Sequence, residues 1–206
     1  MSTTSASSKE TTEIGNSEPM RFQYKVVLLG EGGVGKTALV RRYCFNEFST
    51  DTQLTIGLSF HSVTLQAKQG SSKFRIGLSI WDFGGQQRFR PLLPQFIYGA
   101  NAALLVFDLG GVHTLENLRG WKKMLIENIT EKIPIHLVGT KLDLIQETPS
   151  LRLDPNVIKQ YVEELGATKY TETSAKEKIN TDTIFKELVR ILVNQKNSTP
   201  NPIEIL

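Results

Sequence analysis

Gly30-Glu31-Gly32-Gly33-Val34-Gly35-Lys36-Thr37 fits the spacing G-x-x-x-x-G-K-[ST]. Ahead of it, Lys25-Val26-Val27-Leu28-Leu29 is apolar and β-branched, the composition of a strand buried on both faces. Behind it, Thr37-Ala38-Leu39-Val40-Arg41-Arg42-Tyr43 reads as the opening of a helix. A chain that leaves a strand, turns tightly and enters a helix aims several backbone N–H groups into one concavity, and the helix N-terminus adds partial positive charge there. The pattern predicts a phosphate cradle from Gly32, Gly33, Val34, Gly35, Lys36, Thr37 and Ala38. Lys36 would reach the β- and γ-phosphate oxygens, and the Thr37 hydroxyl would ligate Mg²⁺. A chance glycine-rich turn is the bland alternative; residue types and both flanking elements together count against it.

Outward from this stretch the rhythm is strand, helix, strand, which is the α/β signature. Leu58–Ala67 alternates as an edge strand would, residues 68–72 form a turn, and Phe74, Ile76, Leu78 and Ile80 alternate up to Trp81-Asp82. These two strands should form an antiparallel hairpin on an otherwise parallel sheet. Ala102–Asp108 and Ile133–Gly139 are buried strands, and Leu115 to Ile129 carries helical spacing. Asp154-Pro155 opens a helix as N-cap and first residue, Gly166 closes it, Lys169–Thr173 is the last strand, and Ile184 to Leu192 marks the last helix. The expected fold is α/β: a mostly parallel sheet of about six strands, one of them antiparallel, with about five helices. Residues 1–21 are rich in Ser and Thr and read as a flexible tail; 22–195 form the domain; 196–206 should fray.

Composition bounds the rest. At 206 residues, with 39% apolar and 22% charged side chains, the chain is one ordinary globular domain. A formal net charge of +3 gives no argument for nucleic acid. The single cysteine, Cys44, cannot form an internal disulfide, which fits a reducing compartment. No apolar run approaches the ~20 residues of a membrane helix. Neither a signal peptide nor a myristoylation or prenylation pattern is visible, so the expectation is a cytoplasmic monomer that reaches membranes, if at all, through partners.

A phosphate loop alone serves kinases, ATPases, GTPases and motors, so base choice must come from elsewhere. Thr140-Lys141-Leu142-Asp143 directly follows an apolar strand, where ligands of such sheets lie. The Asp143 carboxylate can accept from guanine N1–H and the 2-amino group, donors that adenine lacks on that edge. The Lys141 stem can cover the base face. Ser174-Ala175-Lys176 follows the last strand in the same way, and the Ala175 N–H can donate to guanine O6. On the phosphate side, Asp82 is placed to hold Mg²⁺ through a water, Thr55 to ligate it by its hydroxyl, and Gln86 after Gly85 to orient the attacking water. Each piece alone is compatible with a solvated loop residue; their order after predicted strands is not. A non-hydrolysing GTP-binding scaffold would be marked by loss of Lys36, Thr55 or Gln86, and all are present. An ATP-using kinase is opposed by Asp143.

With these motifs the chain, from about Tyr24 to Val193, resembles a Ras-superfamily small GTPase, closest to Rab- and Rho-like members. The resemblance implies the small G-protein version of the phosphate-loop NTPase fold. It implies that Phe48 packs edge-on against guanine, and that catalysis rests on Gln86, Lys36 and Thr55 with Mg²⁺ bound by Thr37, Thr55 and Asp82. It also implies two switch segments, 49–57 and 84–95, read by a GTPase-activating protein, an exchange factor and effectors. Departures stand out: Asp82-Phe83-Gly84-Gly85-Gln86 carries an Arf-like double glycine, Thr140 replaces the commoner Asn, and Thr52 replaces a frequent Tyr. Arg88 and Arg90 read as solvated, and Trp121 and His136 as core residues.

Overall fold

The computed structural model describes residues 18–50, 54–196 and 202–206. Its central strand is β1 (Met20–Leu29), and alternation along it explains why it lies there. Tyr24, Val26 and Leu28 enter one buried cluster while Val27 and Leu29 enter another, so helices cover both faces. The chain continues through α1 (Lys36–Phe45), β2 (Leu58–Gln69), β3 (Ser72–Phe83), a 3₁₀ turn (Gln87–Leu92), α2 (Leu93–Ile97), β4 (Ala102–Asp108), α3 (Val112–Glu116), α4 (Leu118–Asn128), β5 (Ile135–Thr140), α5 (Leu142–Glu147), α6 (Pro155–Glu164), β6 (Lys169–Glu172), α7 (Thr181–Lys196) and β7 (Glu204–Ile205).

The strands lie in the order β6-β5-β4-β1-β3-β2-β7. β1 pairs in parallel with both β3 and β4, β4 with β5 and β5 with β6, whereas β2 runs antiparallel to β3. The carboxyl ends of five parallel strands therefore share one rim, and the loops leaving it carry Gly30–Gly35, Gly84–Gln86, Lys141 and Ser174–Lys176. Beneath one face α1 and α7 pack together, with the Tyr43 and Phe185 rings stacked at 4.1 Å. Trp121 and Leu125 of α4 and Ile158 and Tyr161 of α6 fill the other face.

The hairpin, the Asp154 cap (side chain accepting from the Asn156 N–H at 2.8 Å) and the left-handed Gly166 (φ 61°) stand where the sequence put them. Four details differ. β1 starts at Met20, because the Pro19 and Glu18 carbonyls accept from the Arg75 N–H and Nε, extending the pairing with β3. The single helix expected over Leu115 to Ile129 is two, α3 and α4, meeting at Asn117, whose carbonyl accepts from both the Gly120 and Trp121 N–H groups. An extra helix also comes from α5, too short at six residues to show a period, whereas α2 is the short helix expected after the segment from Asp82 to about Pro94. Fraying was expected of the C-terminal end, yet β7 adds a seventh strand antiparallel to β2, burying Ile203 and Ile205 and pairing Glu204 with Lys68 at 2.9 Å. The expected tail over 1–17, Thr52 in the first switch segment, and 197–201 lie outside the described residues.

Candidate functional site

The loop after β1 turns on backbone that only glycine adopts easily. Gly30 has φ 153°, and a Cβ there would sit 2.2 Å from the Val106 carbonyl oxygen of β4. Gly35 caps α1 at φ 95° and offers no side chain, which leaves the first N–H groups of the helix for an outside acceptor. Lys36 is buried and curls back over the loop, donating from Nζ to the carbonyls of Gly30 (2.8 Å) and Glu31 (2.7 Å). Burial lowers its pKa to about 8, against the opposing pull of the Asp82 and Glu31 carboxylates. An anion in the concavity would reverse that shift.

Beside Lys36, side chains from the start of α1, the end of β3 and the loop before β2 converge. Thr37 Oγ1 lies 2.5 Å from Asp82 Oδ2 and 2.5 Å from Thr55 Oγ1. Asp82 is fully buried, and its Oδ1 has no hydrogen-bond partner among the described residues. Desolvation raises the Asp82 pKa, opposed by the Thr37 hydroxyl and by the charges of Lys36 and His61. A buried carboxylate oxygen without a donor, next to two hydroxyls, is a set of hard oxygen ligands suited to Mg²⁺. Among the described residues no three His, Cys, Asp or Glu side chains cluster for a metal, so any cation here rests on one carboxylate plus hydroxyls.

The double glycine is explained by contact. A Cβ on Gly84 would meet the Thr55 carbonyl oxygen at 2.4 Å, and one on Gly85 would meet Glu31 C and Gly32 N at 2.2 Å. The Gly84 N–H donates to the Gly57 carbonyl at 2.8 Å, so the two expected switch segments, 49–57 and 84–95, touch through backbone. Gln86 follows in extended conformation (φ −74°, ψ 137°).

At the other end of the rim, Asp143 is almost buried and accepts from the Ser174 hydroxyl at 2.6 Å, while Ser174 Oγ itself accepts from the Glu177 N–H. Lys141 stands in left-handed conformation (φ 60°) with its Nζ 2.7 Å from Asp108 Oδ2. Thr140 Oγ1 lies 2.5 Å from the Val34 carbonyl and 2.9 Å from that of Phe107, tying the end of β5 to the loop after β1. The Thr173 N–H donates to Gly139 O at 2.7 Å and the Leu142 N–H to Thr173 O at 3.0 Å, locking the segments after β5 and β6 to each other.

Sequence reasoning missed two participants. Arg42 of α1 donates from Nε to the Ala175 carbonyl (2.6 Å), from Nη2 to that of Lys176 (3.2 Å) and from Nη1 to that of Asn46 (2.7 Å). Its guanidinium also lies 5.9 Å from the centre of the Phe48 ring. Nothing in Arg41-Arg42 marks the second as special; Arg41 pairs outside with Glu47. Arg90 is not the solvated residue expected: its Nη2 donates to Glu31 Oε1 at 2.7 Å. Trp121 is core as expected, and its indole N–H also reaches Glu31 Oε1 at 3.2 Å. Cys44 is half-buried, its thiol pushed up to about 11 by burial, consistent with a packing role.

A family model described as the Ras family matches residues 25–194. Ras-related protein Rab-21 of Homo sapiens is 36% identical over 172 residues, covering 84% of this chain and 73% of that protein. Ras-related protein Rab-22A of Homo sapiens is 35% identical over 179 residues, 87% of this chain and 88% of the relative. Ras-related protein RabJ of Dictyostelium discoideum is 38% identical over 177 residues, 86% and 66%.

Proposed function

Since the chain belongs to the Ras family and, as a Rab-like small GTPase, is a GTP-binding switch that hydrolyses GTP, we propose the following division of labour across its rim. The backbone from Gly32 to Ala38 cradles the phosphates, and Lys36 turns from the Gly30 and Glu31 carbonyls toward the β- and γ-phosphate oxygens. Thr37, Thr55 and, through a water, Asp82 hold Mg²⁺. When bound, that ion neutralises the charge developing on the phosphate oxygens. The Gly85 N–H meets the γ-phosphate, and Gln86 orients the attacking water.

At the base end, Asp143, held by Ser174, accepts from guanine N1–H and the 2-amino group, and the Ala175 N–H donates to O6. Phe48 and the Lys141 stem flank the ring, with Thr140 and Lys176 bracing the loops. Lys176 does so through Glu147, at 2.9 Å.

Intrinsic turnover is slow, because Arg90 is engaged by Glu31 and an activating protein must supply the missing arginine. Partners read segments 49–57 and 84–95. Exposed Ile56, and Phe60 edge-to-face with Trp81 at 5.3 Å, give apolar surface beside both. Among the described residues no helix is long and apolar enough to cross a membrane, and we place the protein in the cytoplasm, meeting membranes through those partners.

The observation that carries this reading is the convergence of Thr37, Thr55 and the unpartnered Asp82 oxygen beside a buried Lys36. The test is to denature purified protein, identify the released nucleotide, and then time single-turnover GTP hydrolysis with and without EDTA. Guanine nucleotide and EDTA-sensitive turnover are expected, with Gln86→Leu slowing hydrolysis severely while GTP affinity holds. Protein that comes out empty and takes up no GDP, or equal turnover for both forms, overturns it.

A further inference from the structure

Resting on the assignment of Gln86 as the residue that orients water, we propose that Glu31 and Arg90 are positioning residues that hold Gln86 from both sides. The second switch segment meets one residue of the phosphate loop twice. It first touches at Gly85, whose missing Cβ would collide with Glu31 C and Gly32 N at 2.2 Å. It returns at Arg90, whose Nη2 donates to Glu31 Oε1 at 2.7 Å. Gln86 and the start of the 3₁₀ turn Gln87–Leu92 form the short span between these anchors.

The second anchor is unlike a surface ion pair, which contributes little because water screens it. The Glu31 and Arg90 side chains are only 21% and 30% exposed. The guanidinium carbon lies 4.5 Å from the centre of the Trp121 ring, and the Trp121 indole N–H fixes the same carboxylate oxygen at 3.2 Å. Trp121 is itself fixed in the core of α4 at 1% exposure. Glu31 thus gathers a switch cation and a core indole on its side chain, while its carbonyl takes Lys36 Nζ at 2.7 Å. A short span fixed at both ends has few conformations to lose when a water must be aligned, which is how positioning groups act on rate.

Single-turnover hydrolysis by GTP-loaded full-length protein tests this, with GDP release measured alongside. Arg90→Ala and Glu31→Gln should each slow hydrolysis about ten-fold, as expected for a misplaced catalytic group. GDP release should stay within two-fold of wild type. The double variant should be no slower than the slower single, and Arg90→Lys should recover part of the rate. In a Gln86→Leu background Arg90→Ala should slow nothing further, which a merely structural role would not produce. Hydrolysis within two-fold of wild type in Glu31→Gln, or the same slowing by Arg90→Ala with and without Gln86, overturns the proposal. If Arg90→Ala fails to hold nucleotide, Glu31→Gln, which keeps the shape of the side chain, decides by the same criterion. Should Gln86→Leu itself hydrolyse at the wild-type rate, it is the catalytic assignment that fails; a slow Gln86→Leu beside a normal Glu31→Gln removes the clamp alone.

Discussion

The base end and the cation end of the crevice are built in opposite ways. At the base end, polar side chains have partners within the protein: Asp143 has Ser174, Lys141 has Asp108, and Arg42 holds the Ala175 and Lys176 carbonyls. At the cation end, Asp82 is fully buried with one oxygen unpartnered among the described residues, and burial lowers the pKa of Lys36 to about 8. Leaving a buried polar atom unsatisfied costs about 1–3 kcal/mol, which a ligand of opposite charge returns on binding. On the proposed reading, the base end is shaped by folding and selects, while the cation end is shaped for a bound ion and grips.

The comparison breaks most visibly with metal removal. We expect EDTA to speed GDP release about a hundred-fold, the range for losing contacts to a charged group. Thr37→Ala should do nearly the same in Mg²⁺ and add little once EDTA is present. Release measured with a fluorescent GDP analogue checks both, and additive effects of Thr37→Ala and EDTA would separate the hydroxyl from the ion.

A somewhat smaller effect should appear at the opposite end, with no change in metal dependence. Asp143→Asn should weaken GDP binding by about 10- to 100-fold, since a charge-assisted pair to two base donors contributes about 1.5–3 kcal/mol. Its EDTA ratio should equal that of wild type. Competition titrations with GDP, IDP and ADP measure the change, and an unaltered preference among the three would remove Asp143 from recognition.

Arg42→Ala tests whether the preformed base wall matters for residence. Losing hydrogen bonds to the Ala175 and Lys176 carbonyls should speed GDP release about ten-fold, or about 1.4 kcal/mol. Hydrolysis of bound GTP should be unaffected, because the guanidinium lies at the base end. Release within two-fold of wild type would make the wall self-supporting without it.

The same contrast decides what was legible in the sequence. The residues proposed for the cation end, Lys36, Thr37 and Asp82, can be picked out before folding because phosphate and metal chemistry asks for fixed residue types at fixed spacing. The residues proposed for the base end can be picked out for the same reason. What braces them cannot: Arg42, Glu31 and the Thr140 contact with Val34 bridge elements up to 134 positions apart, and any arginine, glutamate or threonine reads alike before folding. The double glycine was visible as a departure, yet its cause, backbone of Thr55 and Glu31 pressed against it, exists only in three dimensions. The seventh strand was hidden because two residues have no periodicity, and an Asn/Pro-containing tail reads as coil.

The smallest expected effect concerns the strands that carry the base loops. His136 is fully buried in β5, and its Nε2 lies 2.9 Å from Thr171 Oγ1 of β6, so it bridges the pair that ends in the Asp143 and Ser174 loops. Burial lowers its pKa to about 4, with Glu187 pulling upward and Lys169 downward. The unfolded chain takes a proton near pH 6.5 while the folded chain does not, so the unfolded state binds more protons between these values. Stability is therefore fully present above pH 6.5 and is lost as pH falls toward 4, by about 1 kcal/mol between pH 6.5 and 5.5. Denaturant melts at those two pH values measure it. In His136→Asn that part of the slope should vanish, and if base-end strands open first, acid should speed GDP release in wild type more than in the variant. An identical pH slope in both proteins would show that this histidine is already free to protonate where it lies.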